Sequence, residues 1–327
     1  MFEDLIIEEE GKSIIYLAGG CFWGIEALVQ AMDGVTEATT GYANGTSEED
    51  ANYKTVCGGE TGFRETVRVQ YDPSETSLDA ILFAFFRVID PTLKNRQGND
   101  TGTQYQTGVY YTSKYARETV ERIAAIEAAR AESFNVEIGP LHNFFAAEEY
   151  HQNYLDKNPD GYCHIPREEI EKFANMKIDP GKYPLAAPSA VREMLSNEQF
   201  NITQNGATER PFRNEFWCHF DKGIYVDIVT GEPLFSSLDK FESECGWPAF
   251  AAPIDKSVVV ELHDSSNDME RTEVRSRAGN SHLGHVFDGD FESPTGIRYC
   301  INSASIKFIP FQRMDDLGYG YLKYLFD

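Results

Sequence analysis

Ile14-Ile15-Tyr16-Leu17-Ala18-Gly19-Gly20-Cys21-Phe22-Trp23-Gly24 sets a short apolar strand against a two-glycine turn, with a cysteine at the first step beyond it. Ile25, Leu28, Val29 and Met32 follow at helical spacing and Gly34 closes the run, so a helix is expected over 22–32. Cys21 then sits where a strand ends and a helix begins. The free N–H groups and partial positive charge of a helix N-terminus favour a thiolate there, and the glycines let the backbone turn tightly. Phe22 and Trp23 offer an apolar wall fit for a methyl or thioether group. On these residues alone Cys21 is either a nucleophile or a buried residue at a strand–helix corner.

Strand and helix signals alternate onward from this corner. Strands are expected at 14–18, 66–71, 108–111 and 135–138. Helices are expected at 78–89, before Pro91, and from an N-cap at Ser113 to Glu132, with Glu118 and Arg122 paired one turn apart. A further helix over 146–155 carries His151. This is an α/β domain, an α+β layered sandwich, over 1–177. The three prolines and one glycine of 178–189 read as a linker. A short helix is expected at 190–195. The pattern then changes to short strands between Gly, Pro, Asp and Asn, at 223–228, 257–262, 271–276, 297–301 and 305–309. The second domain, 190–327, is therefore expected to be all-β, barrel or sandwich-like. The change of pattern argues for two unlike domains fused rather than one duplicated.

The chain has 327 residues, enough for two domains, each able to bury its own core. Its net charge of −24 leaves neither half the excess of Lys and Arg that neutralises phosphates, so no nucleic-acid partner is expected. No run approaches the ~18 apolar residues of a membrane span, so no membrane partner is expected either. Residues 1–10 are acidic and lack the basic and apolar regions of a secretory signal, and a cytoplasmic location is expected. Six cysteines are too few for a disulfide scaffold, and no Cys-x-x-Cys pair exists.

The second cysteine of interest is Cys300, in Arg298-Tyr299-Cys300-Ile301-Asn302-Ser303-Ala304-Ser305. Arg298 lies two residues away on a strand pattern, so it shares a face with Cys300 and its charge favours the thiolate. Glu244-Cys245-Gly246-Trp247-Pro248 is a turn-like loop with an aromatic residue, and His282 and His285 lie in His282-Leu283-Gly284-His285-Val286-Phe287. A loose Cys and His constellation fits a thiol enzyme, whether a peroxidase or a Cys–His hydrolase, and equally fits satisfied core or loop residues.

Gly-Cys-Phe-Trp-Gly around Cys21 resembles the signature of type A methionine sulfoxide reductases. Cys-Gly-Trp-Pro, His-Leu-Gly-His-Val-Phe and Arg-Tyr-Cys-Ile-Asn-Ser-Ala-Ser resemble type B. The likeness covers nearly the whole chain and implies a bifunctional enzyme, type A domain first. It implies that Cys21 attacks the sulfoxide sulfur, that Glu65 supplies a proton to its oxygen, and that Tyr53 and Tyr105 stabilise the developing charge. Asp100 matches a pocket carboxylate, and Cys163, in Gly161-Tyr162-Cys163, matches the resolving thiol. The family usually has His where Phe63 stands, which puts the working pH of Glu65 in question. In the second half the resemblance makes Cys300 the nucleophile and Cys245 its resolving thiol. His282, His285 and Asn302 would polarise the oxygen or protonate it, Trp247 would pack on the S-methyl group, and Arg298 would help activate Cys300.

By the same likeness the type A domain takes the S epimer and the type B domain the R epimer, of free methionine sulfoxide or of oxidised proteins. Each passes through a cysteine sulfenic acid and an intradomain disulfide recycled by thioredoxin or another dithiol. Many type B domains bind a structural zinc through two Cys-x-x-Cys pairs. The corresponding positions are Asp227, Thr230, Ser276 and Gly279, so no zinc or other cofactor is expected. Cys57 is either a second resolving thiol or a bystander, and Cys218 matches no role.

Overall fold

In the computed structural model, residues 13–266 and 269–327 are described; the acidic segment 1–10 lies outside them. The chain forms two compact units, 1–181 and 182–327. The first contains β1 (Ser13–Ala18), α1 (Phe22–Gln30), β2 (Val35–Ala43), α2 (Tyr53–Val56), β3 (Arg64–Tyr71), α3 (Leu78–Val88), β4 (Arg96–Gln97) and β5 (Asp100–Thr101). It continues with β6 (Gly108–Tyr111), α4 (Lys114–Ala128), β7 (Glu137–Pro140), β8 (Phe144–Ala146), α5 (Tyr154–Lys157) and α6 (Arg167–Ala174). Six strands form one sheet in the order β7-β6-β1-β3-β2-β8, antiparallel except for β6 with β7. Alternation on β1 divides the core. Ile15 and Leu17 are buried, while Tyr16 and Ala18 join Ala43 and Tyr110 in a separate apolar cluster. Helix α1 packs on β1, β2 and β3, α4 packs on β6 and β7, and α3 packs against both α1 and α4.

Two local expectations are corrected. Residues 146–155 do not form one helix. Ala146 ends an edge strand paired to Gly41, Ala147 N–H donates to the Thr40 carbonyl at 2.9 Å, and Asn153 takes a left-handed φ of 52° before the single turn of α5. Pairing to a sheet edge outweighed local helix propensity, and His151 therefore sits in a turn. Arg122 does not pair with Glu118; it reaches the buried Asp79 of α3 at 2.7 Å, joining the two helices.

The second unit opens with α7 (Pro188–Met194) and α8 (Asn197–Asn205), the latter begun by a Ser196–Gln199 capping box. All later regular strands are antiparallel: β9 (Gly223–Asp227), β10 (Pro233–Ser236), β11 (Lys240–Phe241), β12 (Ala249–Phe250), β13 (Val259–Asp264), β14 (Arg271–Ser276), β15 (His282–Asp288), β16 (Ile297–Ile301) and β17 (Ile306–Pro310). They form a three-stranded sheet, β10-β9-β17, and a six-stranded sheet, β11-β12-β16-β15-β14-β13, in sandwich-like fashion rather than as a closed barrel. Tyr225, Phe235, Phe250 and Tyr299 from the two sheets pack ring against ring in the core between them, with Phe235 stacked on Phe250.

A buried ion pair ties β14's end to the turn before β10. Arg277 and Glu232 side chains are 1% and 0% exposed, 2.6 Å apart, and Glu232 also accepts from Ala278 N–H at 3.0 Å. Arg277 donates in addition to Ser257 Oγ at 2.9 Å. Removing one partner strands the other charge in the core, so Arg277→Ala is expected to cost this unit ~3–5 kcal/mol. Urea unfolding of the variant followed by the fluorescence of Trp217 and Trp247, with Trp23 replaced by Phe, measures that loss. A change under ~1 kcal/mol would show the pair to be dispensable.

Candidate active sites

Cys21 is the N-cap of α1, the last residue of a turn that only glycine makes easily: Gly20 has φ +84°, and a Cβ there would lie 2.5 Å from Gln97 Cβ. The first helical N–H, that of Phe22, donates to Glu65 Oε2 at 3.2 Å, which fixes a carboxyl group from β3 beside the nucleophile. Glu65 is 2% exposed, and burial pushes its pKa up to about 8, against the Phe22 hydrogen bond and with help from Asp100. The Cys21 thiol is also raised, first by burial and then by Glu65, while the Trp23 backbone N–H pulls the other way. The helix N-terminus therefore does act on Cys21 in the expected direction, but desolvation is the larger effect.

Tyr53, Tyr105 and Asp100 share this electrostatic environment. Burial raises the Tyr53 hydroxyl to about 12, and it hydrogen-bonds the Cys57 thiol. Burial followed by Glu65 raises Tyr105. Both phenols are thus neutral donors near Cys21 and Glu65. Asp100 accepts from the Tyr162 hydroxyl, while its Oδ2 is buried with no hydrogen-bond partner.

The residues that position this site were not legible as motifs. Glu148 accepts from Tyr53 N–H and from the Tyr42 hydroxyl, each at 2.9 Å, and so anchors α2 to the sheet. His151, 2% exposed, is surrounded by the rings of Phe22, Trp23, Tyr53 and Tyr150 at centroid distances of 5.0, 5.7, 4.9 and 4.2 Å. Phe22 lies fully beneath this cage and Trp23 stacks on Tyr154 at 3.7 Å. Phe63 is packed edge-on to Tyr42 and Phe145, over Gly45, and belongs to an aromatic cluster. Cys163 approaches α1 from 161–165: a Cβ on Gly24 would come within 3.2 Å of its Sγ, so Gly24 leaves the space one helical turn beyond Cys21 in which this thiol sits.

In the second unit a small cavity of about 120 Å³ is lined by Thr208, Trp247, Arg271, His285, Cys300 and Asn302, among others. Strand pairing brings Cys300 opposite His285 and Ala249. Cys300 Sγ lies 3.6 Å from Cys245 Sγ. The Cys300 thiol donates to Cys245, which raises Cys300, as does burial, and lowers Cys245 to about 5. Arg298 does stabilise charge on Cys300, as expected, but less than these two effects oppose it. Its side chain is held by Asp290 at 2.5 Å and lies 4.7 Å from the ring of Phe287, which lines the cavity.

Each histidine is oriented by a carboxylate, His285 by one on β13 and His282 by one on the adjacent β14. His285 Nε2 is 2.8 Å from Asp264 Oδ2, and His282 Nδ1 is 2.6 Å from Glu273 Oε1. Burial keeps His285 toward its neutral form. His285 lines the cavity; His282 does not, its ring centroid lying 5.6 Å from that of His285. Asn302 donates to the Leu283 carbonyl at 3.0 Å and accepts from Glu209 N–H at 3.2 Å, leaving one amide hydrogen for an oxygen in the cavity. Trp247 Nε1 donates to the Glu209 carbonyl at 3.1 Å, so one backbone segment orients both Trp247 and Asn302. Arg271 escaped the sequence reading. It lines the cavity, pairs with Asp264 at 2.8 Å, and keeps a buried Nε without a hydrogen-bond partner.

The four positions matched to zinc ligands do converge. Thr230 and Ser276 hydroxyls each lie 3.0 Å from Asp227 Oδ2, and a Cβ on Gly279 would lie 2.1 Å from the same oxygen. Asp227 is fully buried, and its other oxygen accepts from Val229 N–H at 3.1 Å and the Ser281 hydroxyl at 3.0 Å. One carboxylate saturated by four hydrogen bonds, with two hydroxyls and a glycine, does not fit a tetrahedral thiolate zinc. Among the described residues no group of three His, Cys, Asp or Glu is placed to hold a metal ion, and no helix is long and apolar enough to cross a membrane.

The peptide methionine sulfoxide reductase family model matches residues 13–181, and the SelR domain model matches 195–310. Among similar solved structures, reduced Mxr1 from Saccharomyces cerevisiae is 38% identical, with 47% of this chain and 91% of that chain covered at a TM-score of 0.45. Methionine sulfoxide reductase A of Corynebacterium diphtheriae is 36% identical, with 49% and 85% covered at 0.43. Mxr1 in complex with Trx2 is 26% identical, with 44% and 84% covered at 0.31. Two family models covering consecutive halves, each containing one of the two thiol sites, decide the matter: the chain belongs to the peptide methionine sulfoxide reductases, a type A domain followed by a type B domain, both oxidoreductases that reduce methionine sulfoxide.

Proposed function

We propose that the two sites divide the sulfoxide epimers, S to the Cys21 site and R to the Cys300 site, and that each works through its own disulfide. The observation that carries this reading is the presence of two separate thiol pairs, each beside its own polar group: Cys21 and Cys163 with Glu65, and Cys300 and Cys245 with His285.

At the first site the neutral Glu65 donates its proton to the sulfoxide oxygen, and Tyr53 and Tyr105 share hydrogen bonds to it. The Cys21 sulfur then takes the oxygen and methionine leaves; the thiol's proton ends on Glu65, so thiol plus sulfoxide gives sulfenic acid plus thioether. Phe22 and Trp23 shape the apolar side, and Asp100 faces the polar one. Cys163 condenses with the sulfenic acid, releasing water and forming a disulfide. At the second site Cys300 attacks, His285 and Asn302 address the oxygen with His282 supporting them, and Trp247 receives the S-methyl group. Arg271 lines the same cavity, and Arg298 steadies the charge that Cys300 acquires. Cys245 resolves the sulfenic acid. An external dithiol of the thioredoxin class returns each disulfide to thiols by exchange, with free or protein-bound methionine sulfoxide as substrate. The need for reduced dithiols fits a cytoplasmic setting, with no nucleic-acid or membrane partner and no zinc or other cofactor.

Racemic methionine sulfoxide with dithiothreitol, analysed by chiral chromatography, tests the division. Wild type is expected to consume both epimers, Cys21→Ser to leave S, and Cys300→Ser to leave R. Either single variant consuming both epimers overturns the assignment.

Glu65 must be protonated to act, and its pKa of about 8 keeps it so below that pH. The S-epimer rate is therefore expected to fall as pH rises through about 8. Glu65→Gln keeps a hydrogen-bond donor but transfers no proton, and is expected to lose ~100-fold or more in kcat while flattening that limb. A Gln variant with the wild-type pH profile would assign the limb to another group.

Elemental analysis of the purified chain is expected to find well under one zinc per molecule. Stoichiometric zinc that survives chelator would show that the Asp227 cluster, or another site, does hold the metal.

A further inference from the structure

A second titratable side chain accompanies the resolving thiol of the first unit. His164 follows Cys163, and its ring lies against the turn that carries Cys21. A Cβ on Gly24 would be 3.2 Å from both Cys163 Sγ and His164 Cε1, and one on Gly20 would be 3.7 Å from that same carbon. The β4–β5 turn closes on the ring's other side: a Cβ on Gly98, at φ +55°, would meet His164 Cβ at 3.2 Å and the Tyr162 hydroxyl at 3.7 Å. Both ring nitrogens are buried, and by geometry neither completes a hydrogen bond. A buried imidazole that served packing alone would ordinarily have its N–H satisfied. This one keeps both nitrogens open beside two sulfurs that must exchange a proton. The titratable groups around it are Asp100 from β5, Cys21 at the head of α1 with Glu65 next to it, and Cys163 and Tyr162 from its own segment. Burial holds His164 toward its neutral form, against Asp100 and the Gly19 carbonyl, which favour the charged one. Burial also raises the Cys163 thiol, whose S–H is directed at the Ile165 carbonyl at 3.3 Å. The resolving sulfur thus rests protonated, next to a neutral base.

We infer that His164 carries the proton of the resolving step, taking it from Cys163 and handing it to the hydroxyl group that leaves Cys21. This rests on the proposed Cys21–Cys163 chemistry. A thiol and a sulfenic acid face two obstacles: the nucleophile is the thiolate, and hydroxide is a poor leaving group. One imidazole between the sulfurs removes both, first as base and then as acid. His164 takes the S–H proton while Cys163 Sγ attacks Cys21 Sγ. The S–S bond forms and the S–O bond of Cys21 breaks. The imidazolium returns the proton to the departing oxygen, which leaves as water. The Cys163 sulfur is oxidised and the Cys21 sulfur reduced, so no outside oxidant or reductant enters. The imidazolium exists only in transit, and the carboxyl group of Asp100 is the neighbour that favours it. Glu65 is left to the preceding step, where its hydrogen bond from Phe22 N–H holds it on the other side of the nucleophile's turn.

The test separates the two steps in a single turnover. The full-length chain with Cys300→Ser, which silences the second site, is mixed with the S epimer and no reductant. Methionine release reports sulfenic acid formation, and rapid quenching with a sulfenic acid trap, followed by peptide mapping, reports the Cys21–Cys163 disulfide. His164→Gln and His164→Phe are added separately; Phe keeps a ring against Gly20 and Gly24 and removes both nitrogens. Both variants are expected to release methionine at the parent rate, to accumulate trapped Cys21 sulfenic acid, and to form the disulfide on the order of 100-fold more slowly at neutral pH. The parent's disulfide rate is expected to hold level through neutrality and to fall only where histidine protonates. The variants' rates are expected to rise with pH and to close much of the gap where Cys163 ionises unaided. A structural defect would slow the step equally at every pH, and that result overturns the proposal. A disulfide rate in either variant equal to the parent's also overturns it and leaves the proton to Glu65. Loss of methionine release in both variants overturns it by placing His164 in the first step. No methionine from the S epimer in the parent, or a parent disulfide that omits Cys163, overturns the underlying Cys21–Cys163 chemistry and the proton carrier with it.

Discussion

Both sites are governed by the cost of a bare charge in a covered pocket. Burial is the largest influence on Cys21 and Glu65, and at Cys300 it adds to the hydrogen bond given to Cys245. A free nucleophilic thiolate is what the chemistry needs at the moment of attack, yet a resting one would be expensive and open to unwanted oxidation. The fold answers by leaving the proton in place and surrounding the sulfur with groups that become favourable when it leaves. At Cys21 these are backbone N–H groups of α1; at Cys300 the group is Arg298. Activation is thereby coupled to substrate, because the sulfoxide oxygen is the acceptor that lets the proton move.

The two scaffolds reach that condition by different routes. In the first unit one hydrogen bond, Phe22 N–H to Glu65, ties the helix bearing the nucleophile to the strand bearing the acid. A carboxyl group is an acid at neutral pH only if its environment is apolar, and the aromatic surroundings of Phe22, Tyr42 and His151 supply that environment. In the second unit adjacent strands do the positioning. Register places His285 opposite Cys300, and carboxylates on β13 and β14 hold both imidazoles. Burial holds His285 toward its neutral form, so this site works through oriented hydrogen bonds rather than through a buried carboxylic acid.

What the sequence revealed follows from how local each feature is. The strand–turn–helix corner at Cys21 was legible because glycines, periodicity and capping all act within about fifteen residues. The change from alternating strands and helices to short strands was legible for the same reason. Glu148, His151, Arg271 and the carboxylates Asp264 and Glu273 were not, since each acts through a partner on another element: Glu148 reaches Tyr42 and Tyr53, and Asp264 reaches His285. Residues 146–155 were misread because edge pairing, a long-range interaction, overrode a helical pattern. At Cys21 and Cys300 a helix N-terminus and an arginine are visible in sequence, whereas the depth of burial that outweighs them is not.

The Asp227 cluster shows the same long-range logic applied to stability. Positions 227, 230, 276 and 279 lie on two separate turns, and something must fasten those turns together whether or not a metal is present. Here the fastening is a carboxylate accepting four hydrogen bonds from Val229, Thr230, Ser276 and Ser281. A buried carboxylate is costly alone, but one with every lone-pair direction used is a strong, directional anchor. The adjacent Arg277–Glu232 pair fastens the same turn to β10's approach. Four zinc-bound thiolates would do this work too, yet would add four oxidisable sulfurs to a small domain whose reaction generates a sulfenic acid and exchanges disulfides. Oxygen donors cannot enter that exchange. An anchor built on Asp227 thus separates the groups that hold the fold from those that carry electrons, leaving the domain's sulfur chemistry to Cys300 and Cys245.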